Sequence, residues 1–530
     1  MTDHKTEIEL KFLVPPAARE AVAAEVARGG TAQRTSLAAM YLDTDDRRLA
    51  RTGLAWRLRR EGRRWVQTLK ASGANPLERF EHEVPRPDAT PDASAHAGTG
   101  PGDALLELLR RAQADGHAPV VRFRTEVRRT SRRIATRGAV VEVAFDEGRI
   151  VGGDGASQRI REVEFELVSG KPAAMLAMAE RWRKRFELIL DPRSKSERGD
   201  RLADGTPFPP LRKAARPRWD SDATATAAFG SVVDECLSQI TRNAIGLIEG
   251  DEGLRVEHVH QLRVGIRRLR SALRTFRGWA PAPADDLVEG LRSLFAELGV
   301  ARDTDVLGSG VAAELAGAGA PALTLPPGPA GVAPADAVAS AETQRMLLAW
   351  FAWRASLDAP ALPEADTSPG PTSRDEAKTD RPAALAEPAP ELADTAHPFR
   401  RNAAARLRRW HKALAADSKV FDDLDDNALH ALRKRIKRQR YAVEFLAPAL
   451  RRREVERYLE HLAAIQERMG ALNDLFVARA RYQAMSATDA AAWFALGWLA
   501  ARIAELRALA KPELARFAKT DPPTPRGGEP

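Results

Sequence analysis

The sequence predicts an α+β protein of two domains: an eight-stranded antiparallel β-barrel with flanking helices, then an all-α helical bundle with an internal duplication. Three observations predict it. Up to about residue 202, short segments alternate charged and apolar side chains with the period of two that a strand imposes. After the proline-rich stretch Asp204 to Asp220 the alternation stops and helical spacing takes over. Within this C-terminal region the same helical pattern occurs twice.

The totals set bounds. A chain of 530 residues that is 44% hydrophobic can build real cores. A net charge of +9 and an isoelectric point near 9.8 call for an anionic partner. Aromatic residues are only 6%, without the aromatic and basic interleaving of a base-stacking surface, so nucleic acid is disfavoured. The lone Cys236 excludes an internal disulfide and a Cys-based zinc site. The polar N-terminus is no secretory signal, and no apolar run approaches the roughly 20 residues of a membrane span. A cytoplasmic protein without membrane contact is expected.

Thr6 to Phe12 sets the theme, with Glu7, Glu9 and Lys11 on one face and Ile8, Leu10 and Phe12 on the other. Adjacent carboxylates repel and need a basic strand or a metal ion beside them. Pro15 to Arg28 has helical spacing, and Met40 to Thr44 is a short strand. Gly53 to Arg60 turns Arg57 and Arg59 one way, Trp56 and Leu58 the other. Glu61-Gly62-Arg63 is a hairpin turn into a strand ending at Lys70. Arg79, Glu81 and Glu83 share a face. Asp103 to Ala112 is a helix. Val121 to Ile134 is an arginine-rich strand, and Ala139 to Phe145 leads to Asp146. Glu162, Glu164 and Glu166 share one face of the next strand. Met175 to Phe186 is a helix, and Ser194 to Gly199 reads as a polar loop. Each strand carries mostly one sign of charge. A closed barrel with charged faces inward and apolar faces under the helices accounts for this.

These segments resemble the CYTH family, the triphosphate tunnel metalloenzymes, over about residues 5–202. The motifs are Glu7-x-Glu9-x-Lys11, Tyr41-Leu42-Asp43-Thr44, Arg57-Leu58-Arg59, Thr68-Leu69-Lys70, Glu81-x-Glu83, Val143 to Gly148, Glu162-x-Glu164-x-Glu166 and Ser194-Lys195. The resemblance implies a tunnel that acts on triphosphates with Mg²⁺ or Mn²⁺. It implies Glu7, Glu9, Asp146, Glu162 and Glu164 as metal ligands. Lys11, Arg57, Arg59, Lys70, Lys195 and Arg129, with Arg128 as the alternative to the last, would grip phosphates. The substrate expected is inorganic triphosphate, cleaved to pyrophosphate and phosphate. Thiamine triphosphatase, nucleoside triphosphatase and adenylate cyclase activities on the same fold are alternatives, as is a non-enzymatic polyphosphate-binding protein.

In the C-terminal region, His260-x-Leu-Arg263-x-x-Ile-Arg267-Arg268-x-Arg270 matches His430-x-Leu-Arg433-Lys434-x-Ile-Lys437-Arg438-x-Arg440 without a gap. His260, Arg263, Arg267, Arg270 and Arg274 step by three and four, forming a basic stripe beside the apolar stripe Leu262, Ile266, Leu269, Leu273 and Phe276. The second copy keeps His430, Arg433, Lys437 and Arg440, with Lys434 adjacent, then breaks at Glu444. Paired stripes of this kind would line a groove for a polyanion, the histidines bonding phosphate or carboxylate. The segment resembles the CHAD domain over about 222–515, which implies inorganic polyphosphate as a partner and an association with polyphosphate granules. The expected boundaries are a tunnel domain 1–205, a linker 206–221, a helical domain 222–515 with poorly ordered insertions at 308–334 and 359–398 around a helix from Asp336 to Leu357, and a flexible tail 516–530.

Overall fold

The computed structural model describes residues 5–73, 75–306, 311–321, 331–358 and 396–527. Eight strands close into a ring: β1 (Lys5–Leu13), β2 (Gln33–Thr44), β3 (Leu54–Glu61), β4 (Arg64–Ser72), β5 (Glu78–Arg86), β6 (Pro119–Thr136), β7 (Ala139–Gly152) and β8 (Ser157–Gly170). Their cyclic order is β1-β5-β4-β3-β2-β6-β7-β8, antiparallel throughout, with β8 pairing back onto β1. The β1–β5 seam is short, pairing only Lys5 to Ile8 with Glu81 to Glu78. Beyond it β1 leaves β5 and takes up a two-residue strand, β9 (Ile189–Leu190).

The barrel's helices are α1 (Arg19–Ala27), α2 (Arg48–Thr52), α3 (Gly100–Ala114), α4 (Pro172–Phe186) and α5 (Lys195–Ala203). Alternation on β1, β7 and β8 sends Leu10, Phe12, Val143, Val163 and Phe165 outward, into one core with Val22, Val26, Met175 and Trp182 of α1 and α4. Phe165 meets Phe12 and Trp182 edge-on, with ring centroids 5.8 and 5.6 Å apart.

Two expectations about the barrel need correction. The first concerns β2 and the first part of β6, where the outer face is the charged one and Arg124, Glu126 and Arg128 are exposed, while Arg129, further along β6, turns inward. Their inward face carries Leu37, Ala39, Tyr41, Phe123 and Val127, which gather with Ile150, Ile160 and Leu202 of α5 in an apolar cluster closing one end of the barrel. The lumen is therefore ionic over some of its length and greasy at its stopper. Gly199 of α5 lies so close to the Phe123 ring that a Cβ would come within 2.1 Å of it.

The second correction is that Ser194 to Gly199 is the cap and first turns of α5, not a loop. The Ser194 hydroxyl accepts the Glu197 backbone N–H at 3.0 Å. Ser-x-x-Glu is the spacing of a helix N-terminus, hidden here by the density of charge.

The C-terminal region contains α6 (Ala225–Glu249), α7 (Arg255–Thr275), α8 (Asp285–Val306), α9 (Ala312–Gly317), α10 (Pro334–Ala339), α11 (Ala341–Ser356), α12 (Ala396–Lys419), α13 (Asp426–Leu446), α14 (Arg452–Met485) and α15 (Ala492–Ala518). The helix expected over 336–357 is two, broken at Ser340, whose hydroxyl caps α11 by accepting the Thr343 N–H. Residues 308–310, 322–330 and 359–395 of the expected insertions lie outside the described residues, and within the first insertion 312–317 form α9 rather than a poorly ordered stretch. Beyond α15 the chain is pinned back, with Arg451 N–H donating to the Thr524 carbonyl and Arg526 N–H to that of Ala449. Residues 206–221 form neither helix nor strand but lie on the bundle. Ala215 N–H donates to Glu235, Trp219 Nε1 to the Phe445 carbonyl, and the buried Arg268 to the Ala215 carbonyl. The apolar core under α4 continues into the bundle through α11, so barrel and bundle share one hydrophobic interior. No helix among the described residues is long and apolar enough to cross a membrane.

Candidate active site

Strand register places opposite charges side by side around a cavity of about 760 Å³ inside the barrel. Arg57, Thr68 and Glu83 form one row across β3, β4 and β5. Arg57 donates to Thr68 Oγ1 at 3.2 Å, and that hydroxyl donates to Glu83 at 3.1 Å. In the next row Lys70 faces Glu81 at 3.1 Å and reaches Glu7 on β1 at 3.0 Å. Arg59 pairs with Glu61 and, at 3.4 Å, with Glu83.

On the opposite wall Arg129, Asp146 and Glu162 form a row across β6, β7 and β8. Arg129 grips Asp146 with two bonds of 2.8 and 2.7 Å and reaches Glu164 at 2.5 Å. Arg128 is exposed on the outer face, so Arg129 is the tunnel arginine. Lys195, brought in by the first turn of α5, lies 2.7, 2.5 and 2.9 Å from Asp146, Glu162 and Glu164. A lysine there opposes the helix macrodipole, and the three carboxylates offset that cost. Between the walls, Lys11 lies 3.2 Å from Glu9, which also accepts from Arg79 at 2.6 Å.

Burial and these pairs shift the titrations. Burial and a hydrogen bond to Glu81 raise the Glu7 carboxyl to about 8 against the pull of Lys70. Burial acts on Glu81 too, but Lys70, the same hydrogen bond and Arg57 hold it low, so the two carboxyls are pushed in opposite directions. Glu9 falls to about 2, because Lys11, Lys70 and Arg79 overcome its burial. Glu164 and Asp146 are held low against burial by Lys195 and Arg129.

Of the five expected metal ligands, Asp146, Glu162 and Glu164 come together, with one oxygen of each within 4.8 Å of the others. Glu162 Oε1 is buried, and its charged neighbour is the Lys195 ammonium. Three carboxylates in a buried corner are the hard oxygen donors that Mg²⁺ or Mn²⁺ takes, so the residues fit such an ion. Glu7 and Glu9 line the same cavity but are engaged by Lys70, Lys11 and Arg79. Sequence reasoning undervalued Arg79, Glu81 and Glu83, although their alternation announced them. It missed Arg198, which holds Glu162 at 2.9 Å, and Arg242.

The basic stripes meet as well. α7 packs on α13, and burial together with the nearby Arg267 depresses both Arg433 and Lys437 against the pull of Asp474. Burial, Arg267 and Arg433 together bring the Lys437 ammonium down to about 7. Arg270 is lowered by burial, Arg274 and Arg292. Phe295 of α8 lies beneath Arg263, Arg267 and Arg270, with centroids 4.2, 5.7 and 5.8 Å from their guanidinium carbons. Arg274 and Lys434 are exposed, His260 is half-buried, and Arg440 pairs with Glu444 at 3.0 Å. His430 Nδ1 is 2.8 Å from Asn473 Oδ1.

Comparison with known proteins gives each domain a family. Residues 5–199 match the CYTH domain and residues 231–483 the CHAD domain. The inorganic triphosphatase of Haemophilus influenzae is 28% identical over 199 residues, which are 36% of this chain and 54% of that protein. The chain thus spans about half the length of that curated relative. The crystal structure of the CHAD domain from Ricinus communis is 29% identical, covering 60% of this chain and 99% of that one with a TM-score of 0.45. A Hippeastrum protein described as revealing a dominant triphosphatase activity is 19% identical, covering 36% and 93% with a TM-score of 0.25.

Proposed function

Because this chain is a CYTH domain followed by a CHAD domain, we propose that it hydrolyses inorganic triphosphate to pyrophosphate and phosphate in a metal-dependent reaction, and that its helical domain binds inorganic polyphosphate. One observation carries the reading. Lys11, Arg57, Arg59, Lys70, Arg129 and Lys195 all line a single cavity, beside three carboxylates that fit a hard cation. Phosphoryl transfer asks for positioning and charge stabilisation more than covalent help. The guanidinium forks hold equatorial phosphate oxygens at fixed angles, and the lysines add point charges between them. Each is held in place by a carboxylate until phosphate replaces it. A divalent ion bound by Asp146, Glu162 and Glu164 would neutralise phosphate charge and acidify a water.

The lining also favours an inorganic substrate. Tyr41 is its one aromatic residue among those described, and one face of its ring is taken by Phe123 at 4.5 Å, so the lining has little stacking surface for a nucleobase or a thiamine. The relative from Haemophilus influenzae, an inorganic triphosphatase by name, agrees with this choice. For the helical domain, the support is the meeting of Arg267, Arg433 and Lys437 on one half-buried face, with Asp474 beside Arg433 and Lys437.

The test is phosphate release from tripolyphosphate, ATP and thiamine triphosphate by the purified chain with Mg²⁺ or Mn²⁺. Fastest turnover is expected on tripolyphosphate, with complete loss on chelation. A chain that releases no phosphate with either metal overturns the enzymatic reading, and faster turnover of ATP overturns the inorganic one.

A further inference from the structure

The strap that carries Lys195 into the tunnel is held from outside the barrel. Leu190 N–H donates to Gln344 Oε1 of α11 at 2.8 Å. Arg193, bonded to Asp191 at 2.8 Å, lies 3.9 Å from Glu249 of α6. Glu197, in the first turn of α5, receives Arg242 of α6 at 2.5 Å. Arg242 lines the tunnel cavity itself. It also lines a second cavity of about 660 Å³ between barrel and bundle, and the two cavities share Glu9, Lys11, Ser72, Arg79 and Arg242. That junction lies at the short β1–β5 seam.

We propose that Arg242 is a positioning residue for the tunnel chemistry: the helical domain, through Arg242 and Glu197, fixes the first turn of α5 and with it Lys195 among Asp146, Glu162 and Glu164. The geometry is direct. The Glu197 backbone N–H is already used by the Ser194 cap, so its side chain is the handle by which α6 sets the angle of α5. Lys195 is two residues away, at the first helical position. An ammonium with three carboxylate partners at 2.5 to 2.9 Å tolerates little rotation of its helix. Small displacements of positioned groups cost roughly 100-fold in rate. The two domains are then not separable modules, because the barrel's lysine is aimed by the bundle.

The inference rests on the triphosphatase reading for its kinetic arm only. In the full chain, Arg242→Ala should lower kcat on tripolyphosphate by roughly 10- to 100-fold with KM nearly unchanged. Arg242→Glu should match or exceed that loss. The reversed pair, Arg242→Glu with Glu197→Arg, should regain most of it. A second arm needs no activity: acylation of Lys195, followed by peptide mass spectrometry, should quicken in Arg242→Ala while Lys171 labels as before. Amide exchange should rise over 195–199 and stay constant in β7. Wild-type kcat and wild-type Lys195 labelling in Arg242→Ala overturn the inference, as does a kinetic loss that the reversed pair fails to regain. An inactive wild-type chain whose Lys195 still responds to Arg242→Ala overturns the triphosphatase reading and leaves this one standing.

Discussion

The tunnel and the α7–α13 face are both dense in arginine and lysine, and they handle that charge in opposite ways. In the barrel Lys11, Arg57, Arg59, Lys70, Arg129 and Lys195 each have a carboxylate neighbour within about 3.5 Å, supplied by strand register and, for Lys195, by the placement of α5. On the helices Arg267, Arg433 and Lys437 crowd one another, and the lysine yields to about 7. A wall with built-in counter-ions holds its side chains in place before substrate arrives and selects by geometry. On the proposed reading, a wall with fewer of them, Asp474 and Glu444 here, would take a long polyanion as further counter-charge, gaining affinity and losing selectivity. The difference teaches that composition alone does not separate a cation held among carboxylates from one crowded by other cations. Its partner does.

Four experiments can break or sharpen that contrast. Glu164→Gln strikes the compensated wall hardest, since it removes an anion shared by Arg129 and Lys195. Turnover of tripolyphosphate should fall by roughly 10² to 10³ with the unfolding transition still cooperative, as judged by kinetics and circular dichroism. The triple change Arg267→Ala, Arg433→Ala, Lys437→Ala should weaken polyphosphate binding by about 10- to 100-fold in a filter or calorimetric assay. Tripolyphosphate turnover should move less than about twofold, and equal losses in both would show one shared site. Raising salt from about 50 to 200 mM should cost polyphosphate affinity roughly tenfold or more, while kcat/KM on tripolyphosphate, protected by burial, changes less.

The smallest effect is a pH slope. Below about pH 7 Lys437 is charged with or without ligand. Above it, binding must take up a proton, so polyphosphate affinity should fall as pH rises from 7 to 9, and Lys437→Arg should flatten the curve. For stability the sign is reversed. The folded lysine titrates below its unfolded value, the unfolded chain binds more protons across that window, and stability rises with pH through it.

Much of the site was legible in the sequence, for a physical reason. A strand's period of two is strict, so Glu7, Glu9 and Lys11 had to share a face, as did Arg57 with Arg59 and Glu162 with Glu164. The duplicated helix declared its basic stripe through the same kind of rule at a period of 3.6. Alternation did not say which face was inside, and the inward face of β2 and the first part of β6 proved apolar, giving way to Arg129 further along β6. Nor did a charged run look like a helix at Ser194, where capping was the stronger signal.

The sequence by itself determined the two domains, the alternating strands, the repeat and the residues able to bear the chemistry, since these follow from local periodicity and charge. Only the tertiary structure decided that Asp146, Glu162 and Glu164 meet at Lys195, that Arg129 turns in while Arg128 turns out, and that Arg242 reaches the tunnel from the other domain. Those outcomes depend on ring closure, register and domain packing, which bring together residues tens to hundreds of positions apart, and no local pattern encodes such a meeting.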